Sequence, residues 1–219
     1  TYKETMGIHF SNPETLHNKN YTFMYTHGEA IYSRTFFPSQ DTPSLKVTLS
    51  AKILVDKPYT ALFSGLLVST KDVGDDKTQY YFEMDQPIPS YLVTFAAGKM
   101  VKKVIPNSRC EVYGEEESLK FANKSFEFCE KYLQFYEQYR KFFMKKMIFI
   151  ITPDDFPFRG MENPYVTIIS EAVLSHDRSY TSTISHEIAH FWSGNLVTNK
   201  IWRSFWLNEG ITTYLERMC

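Results

Sequence analysis

Cysteine is scarce in this chain. Cys110, Cys129 and Cys219 are the only three in 219 residues, and their spacings fit neither a zinc ribbon nor a redox pair. A disulfide-stapled scaffold is thereby excluded, and the pattern reads as reduced thiols in a cytoplasmic protein. Nowhere do eighteen uncharged apolar residues run together, so no segment is expected to cross a membrane as a helix. Excess charge of either sign is also missing. A formal net charge of −1 removes electrostatics as a reason to expect a nucleic-acid or anionic-membrane partner. The opening TYKETMGIHF has neither the basic start nor the apolar middle of a signal peptide, and no repeat or low-complexity stretch follows. Triplets of the glycosylation type at Asn20 and Asn123 occur often by chance and do not outweigh the cytoplasmic reading.

Aromatic residues, by contrast, reach 16%, enough for a dry core in one large or two modest domains. The first half is strand-like. Lys46 to Pro58 alternates apolar and polar residues, ALFSGLLVST follows, and KDVGDDK offers Gly74 as a hairpin tip. TQYYFEMDQPI and YLVTFAAGKM are two further β-type runs, parted by Pro87 and Pro89. After about Pro106 the character changes. Between Glu115 and Met147, Leu119, Ala122, Phe126, Cys129, Leu133 and Tyr136 recur at helical spacing, an apolar stripe that serves core packing. MIFIITP is a short buried strand and NPYVTIIS another; from Ser179 onward two helices flank the turn GNLVTNK.

The chemistry gathers in HEIAHFWSGN. Residues i and i+4 of a helix lie roughly 40° apart and about 6 Å along the axis, so His186 and His190 share a face and can reach one ion. Glu187 is rotated aside, toward a water near that ion. Thr181, Ser182 and Thr183 are candidate N-caps, and Gly194 suits a left-handed C′ position. A chance HExxH string is expected on the order of once in a hundred chains of this length, so a third ligand is needed. Ser193 and Leu196 stand where a metzincin has glycine and histidine. The remaining carboxylate donors are Glu209, in FWLNEGITTYLER, and Glu216, which could instead hold a histidine tautomer. His9, His17, His27 and His176 have no partner at ligand spacing and read as surface or loop histidines.

HEIAH, an eighteen-residue gap and Glu209 within NEG resemble the gluzincin aminopeptidases related to aminopeptidase N; upstream, Gly160-Met161-Glu162-Asn163 is similar to the GxMEN exopeptidase motif of that family. GNLVTNK, FWLNEGITTYLER and QDTPS resemble the branch that contains leukotriene A4 hydrolase and aminopeptidase B. The resemblance runs from about His27 to Met218. It implies an α+β fold, with residues 1–108 the end of an antiparallel, saddle-like β domain and 109–219 the front of a thermolysin-like zinc peptidase domain. It implies one Zn²⁺ held by His186, His190 and Glu209, with Glu187 as the general base. It also implies that Glu162 binds the free amine of a peptide substrate and that the NPYVTIIS run is an edge strand pairing with the substrate backbone. Glu29, in HGEA, falls at the family's second amine-recognition position, where the leukotriene hydrolase branch has a Q-x-Q-A motif. This departure favours peptidase activity over the lipid-epoxide reaction. Arg159 replaces the small residue usual before that glycine. The family's downstream tyrosine has no counterpart before Cys219, so the resemblance implies a piece of a larger enzyme, inactive alone. The competing reading is a catalytically dead, truncated relative that still docks peptides or partners.

Overall fold

Strand-forming runs of the first half pair both with sequence neighbours, as β5 with β6, and across longer separations, as β3 with β6. In the computed structural model, which describes residues 6–141, 144–175 and 177–219, the chain forms β1 (Ile8–Phe10), β2 (Met24–Thr26), β3 (Lys46–Asp56), β4 (Thr60–Phe63), β5 (Leu66–Asp72), β6 (Lys77–Pro89), β7 (Phe95–Gly98) and β8 (Val101–Val104). The second half adds β9 (Cys110–Gly114), α1 (Ala122–Ser125), α2 (Cys129–Tyr136), β10 (Met147–Thr152), β11 (Gly160–Met161), β12 (Thr167–Ser170), α3 (Thr181–Ala189) and α4 (Phe205–Met218). The α+β class is the one expected.

Three sheets result. The first, β1-β2-β7-β4, and the second, β3-β6-β5, are antiparallel throughout. Gly74 forms the tip between β5 and β6 with φ +79°, a conformation that costs glycine little. ALFSGLLVST splits into β4 and β5, which belong to different sheets. The third sheet, β11-β12-β10-β9-β8, is mixed: β10 lies parallel to β9 and β12, while β8 and β11 are antiparallel edges. All six residues of β10 are buried, as befits a central strand covered on both faces. β8 precedes the expected boundary at residue 108 and β9 follows it, yet the two form one hairpin.

The structure corrects three expectations. β12 is an interior strand; the outer strand is the two-residue β11, too short for any period to mark it in the sequence. The segment from Glu115 is not one helix but a 3-10 turn (Ser118–Phe121) followed by α1 and α2. Its stripe nevertheless packs as read: Leu119, Ala122, Phe126, Cys129, Leu133 and Tyr136 are all buried. Finally, α3 is capped by Tyr180 with no side-chain hydrogen bond, so Thr181, Ser182 and Thr183 lie inside the helix. Among the described residues no helix is long and apolar enough to cross a membrane.

Candidate metal centre

α3 buries Ile184, Ser185, Ile188 and Ala189 and turns His186 and His190 toward α4. Their Nε2 atoms approach to 2.9 Å. Two nitrogens sharing one tetrahedral zinc at ordinary bond lengths would stand about 3.3 Å apart. α4 is anchored by Asn208, Thr212 and Leu215, a buried i, i+4, i+7 face. It delivers the Glu209 carboxylate to 3.3 Å from His186 Nε2 and 3.7 Å from His190 Nε2. Donor atoms of the three residues lie within 4.8 Å of one another.

The remaining ring nitrogens are held from behind. His186 Nδ1 lies 3.0 Å from Glu216 Oε2, so of its two expected positions Glu216 takes that of a tautomer-fixing partner. His190 Nδ1 donates to the Ser193 carbonyl at 3.0 Å. Thr212 Oγ1 donates to the same carbonyl at 3.0 Å and lies 3.2 Å from that nitrogen. Both Nε2 lone pairs are thereby left facing the triad, the state a metal ligand requires.

The turn after α3 completes this support. His190 is the C-cap, and Gly194 lies four residues beyond it rather than at C′. Its φ of +124° and the nearness of Asn208 Oδ1 and His190 Nδ1 leave no room for a side chain. Lys46 Nζ reaches over from β3 and donates to the carbonyls of Asn195 and Leu196 at 2.9 and 3.0 Å. Asn195 Nδ2 donates to the Glu162 carbonyl at 2.9 Å. Tyr91, packed against Trp202 and Phe205, accepts from Asn208 Nδ2 at 3.3 Å. No supporting role was read from the sequence for Lys46, Tyr91, Ser193, Asn195, Asn208 or Thr212. Only the i, i+4 placement of Asn208 and Thr212 in the Leu215 row carried a signal.

The expected site residues converge on one cavity of about 570 Å³, lined by Glu29, Gly160, Met161, Glu162, His186, Glu187, His190, Glu209 and Glu216. Asn163 is buried beside it and donates from Nδ2 to the Leu92 carbonyl at 3.0 Å. Glu187 lies against Gly160, where a Cβ would overlap its carboxylate. Glu162 Oε1 and Glu187 Oε2 are buried without a hydrogen-bond partner. The peptide bond between Glu29 and Ala30 is cis.

Electrostatics set these groups apart. Burial, reinforced by Glu162 and Glu209, raises Glu29 to about 8. Burial and the Glu209 charge raise Glu162 to about 7. Glu187 is pushed well up, by burial first and then by its carboxylate neighbours. Burial also opposes the charge on Glu209 and on His186. The imidazoles nonetheless lower Glu209, and Glu209 with Glu216 raises His186. His190 falls to about 4 through burial and the His186 charge, so it is neutral, as a ligand must be. Two imidazoles and a carboxylate, with uncompensated carboxylates around them, fit a dication.

Of the other histidines, His9 stacks on Tyr25, and His17 meets Glu171 Oε1 at 2.7 Å. His27 departs from expectation: it is buried, lines the cavity and packs against Phe156 and Phe158. It directly follows β2, whose Tyr25 and Thr26 are buried as well, which an isolated histidine in the sequence did not reveal. His176 lies outside the described residues.

This arrangement has close counterparts. Residues 2–92 match the peptidase M1 N-terminal domain and residues 118–219 the peptidase family M1 domain. The chain is 39% identical to aminopeptidase B of Rattus norvegicus over 99% of its own length and 33% of that protein's. It is 37% identical to leukotriene A-4 hydrolase of Xenopus laevis, over 99% of this chain and 36% of the relative. Native leukotriene A4 hydrolase from Saccharomyces cerevisiae superposes with a TM-score of 0.86 at 36% identity, over 100% of this chain and 33% of that one. The chain thus spans about a third of the length of the relatives it matches.

Proposed function

The chain belongs to peptidase family M1, and on that premise we propose that its cleft removes single residues from the amino terminus of peptides with the help of one zinc ion. The observation that carries this reading is the convergence of His186, His190 and Glu209 donor atoms within 4.8 Å, with Glu187 beside them. His186, His190 and Glu209 hold the ion. Bound there, zinc supplies Lewis acidity toward the scissile carbonyl and toward water.

The protein's own residues do the rest. Glu187 takes a proton from the attacking water and passes it to the leaving amine. Its place supports this: Glu187 lines the same cavity as the donor triad, and its Oε2 is buried without a hydrogen-bond partner. Glu162 and Glu29 receive the substrate's free ammonium, which fixes the first residue against the metal and limits cleavage to one residue. Asn163 holds the Glu162 turn through its bond to Leu92. Gly160 and Met161 offer the free edge of the mixed sheet to the substrate backbone.

An intact Glu187 favours a hydrolase over an inert peptide-docking relative, and Glu29 favours peptides over a lipid epoxide. The reading divides the chain near residue 108, in the turn between β8 and β9 of the mixed sheet. The free thiols of Cys110 and Cys129 support a cytoplasmic location.

The test is hydrolysis of aminoacyl anilides by the full natural chain carrying these residues, with and without zinc and with an amino-acetylated control. Zinc-dependent turnover of unblocked substrates alone is expected. Equal cleavage of blocked peptides in mid-chain would overturn the exopeptidase reading.

A further inference from the structure

Five glutamates line the cavity, and among its described lining residues Arg159 is the only lysine or arginine. None of those carboxylates pairs with it. No carboxylate of the described residues stands within ion-pair distance of the exposed Arg159 side chain, whereas other arginines of this chain, such as Arg34, Arg109 and Arg178, have such partners.

Its place is nevertheless fixed. The Arg159 carbonyl accepts from the Ser170 amide at 3.0 Å, continuing the β11–β12 ladder by one bond. Its guanidinium lies 5.3 Å from the centre of the Tyr180 ring, and Tyr180 caps the helix that bears both histidines. Ser182 and Thr183, in the first turn of that helix, line the same cavity.

Chain direction then assigns a ligand. A strand advances about 3.3 Å per residue, so Arg159 lies about 10 Å along the outer edge from Glu162. A substrate with its ammonium at Glu162 that runs antiparallel to β11 brings its third residue beside Arg159. The bare cation there is complementary to one substrate charge.

We propose that Arg159 is a specificity-determining residue that binds a substrate carboxylate about 10 Å downstream of the free amine. That group is either the terminal carboxylate of a tripeptide or an acidic side chain at the third position. The positive end of α3 acts in the same sense. This inference rests on the peptidase reading and adds to it a preference on the leaving side of the scissile bond.

The experiment compares kcat/KM in the full natural chain for three substrates sharing the best amino-terminal residue: a tripeptide ending in glycyl-glycine, its carboxamide, and the carboxamide with aspartate third. The wild type should favour the acid, the aspartyl amide, or both over the neutral amide by roughly three- to tenfold. Whichever is favoured identifies the source of the carboxylate. That ratio should fall to near one in Arg159→Ala and invert in Arg159→Glu. Because each ratio is taken within one protein, partial misfolding cancels. A wild-type ratio near one, or a ratio that survives in Arg159→Ala, overturns the assignment while the peptidase reading stands. Failure of the wild type to cleave any unblocked peptide overturns that reading instead.

Discussion

Gly160 and Glu187 are in contact, and only a glycine permits it: a Cβ on Gly160 would overlap the Glu187 carboxylate. The proposed base is thus seated by the absence of a side chain on the strand opposite. Gly160→Ala should push Glu187 aside without touching His186, His190 or Glu209. Misplacing a reacting group by about 1 Å costs on the order of a hundredfold. The expected outcome is a fall of that size in kcat for aminoacyl anilides with zinc content unchanged. Full activity in the alanine variant would remove Glu187 from the chemistry.

Zinc retention separates the ligands from their neighbours. His186→Ala and His190→Ala should abolish binding, and Glu187→Gln should keep it. Glu216→Ala frees His186 Nδ1 from the carboxylate 3.0 Å away, and loss of such a support weakens metal affinity by about ten- to a hundredfold. Competition with a chromogenic chelator measures all four, and equal loss in each would contradict these roles.

Glu162→Ala removes the proposed ammonium acceptor. Loss of a charge-assisted contact costs roughly 1.5–3 kcal/mol, about ten- to a hundredfold or a little more in kcat/KM. The loss should appear with unblocked substrates, and amino-acetylated ones should be poor for either protein. Selectivity for the free amine that survives the substitution would exclude Glu162 from this part.

His27 should leave a mark on stability. Burial, with the His9 charge, depresses it from 6.5 to about 4 in the fold. The unfolded chain therefore binds the extra proton first. Stability from this group is complete above pH 6.5 and is lost as pH falls toward 4, by up to about 3 kcal/mol. Urea unfolding with EDTA present should show a shallower decline over that window in His27→Gln. Identical slopes would mean that His27 is solvated.

What the sequence made legible follows from periodicity. Two histidines at helical spacing pointed to one shared ion, and the stripe from Leu119 to Tyr136 to a packed face; the choice of Glu209 over Glu216 came from the family resemblance, not from spacing. The supports behind the triad were hidden for a different reason. His190 is held by a backbone carbonyl, that of Ser193, which no side-chain pattern encodes. Thr212 looks like any polar helix residue until the helix is docked. β12 announced itself by its apolar run, but whether it lay inside or at the edge depended on β11, two residues with no pattern. The N-cap fell at Tyr180 because tertiary contacts set where α3 begins, overriding the preference for threonine and serine.

The Lys46 clasp on the turn after α3 joins residues 149 and 150 positions apart. During synthesis, domains fold largely in order of appearance, at about 5–20 residues per second. The β3-β6-β5 sheet can therefore pair while Lys46 still lacks its carbonyl partners. The two histidines emerge next, and Glu209, on the last helix described, emerges after them. Until it does, the His186 and His190 pair lacks the carboxylate that completes its donor triad. Metal loading thereby waits on the synthesis and docking of α4, which follows that of the β3-β6-β5 sheet and of α3.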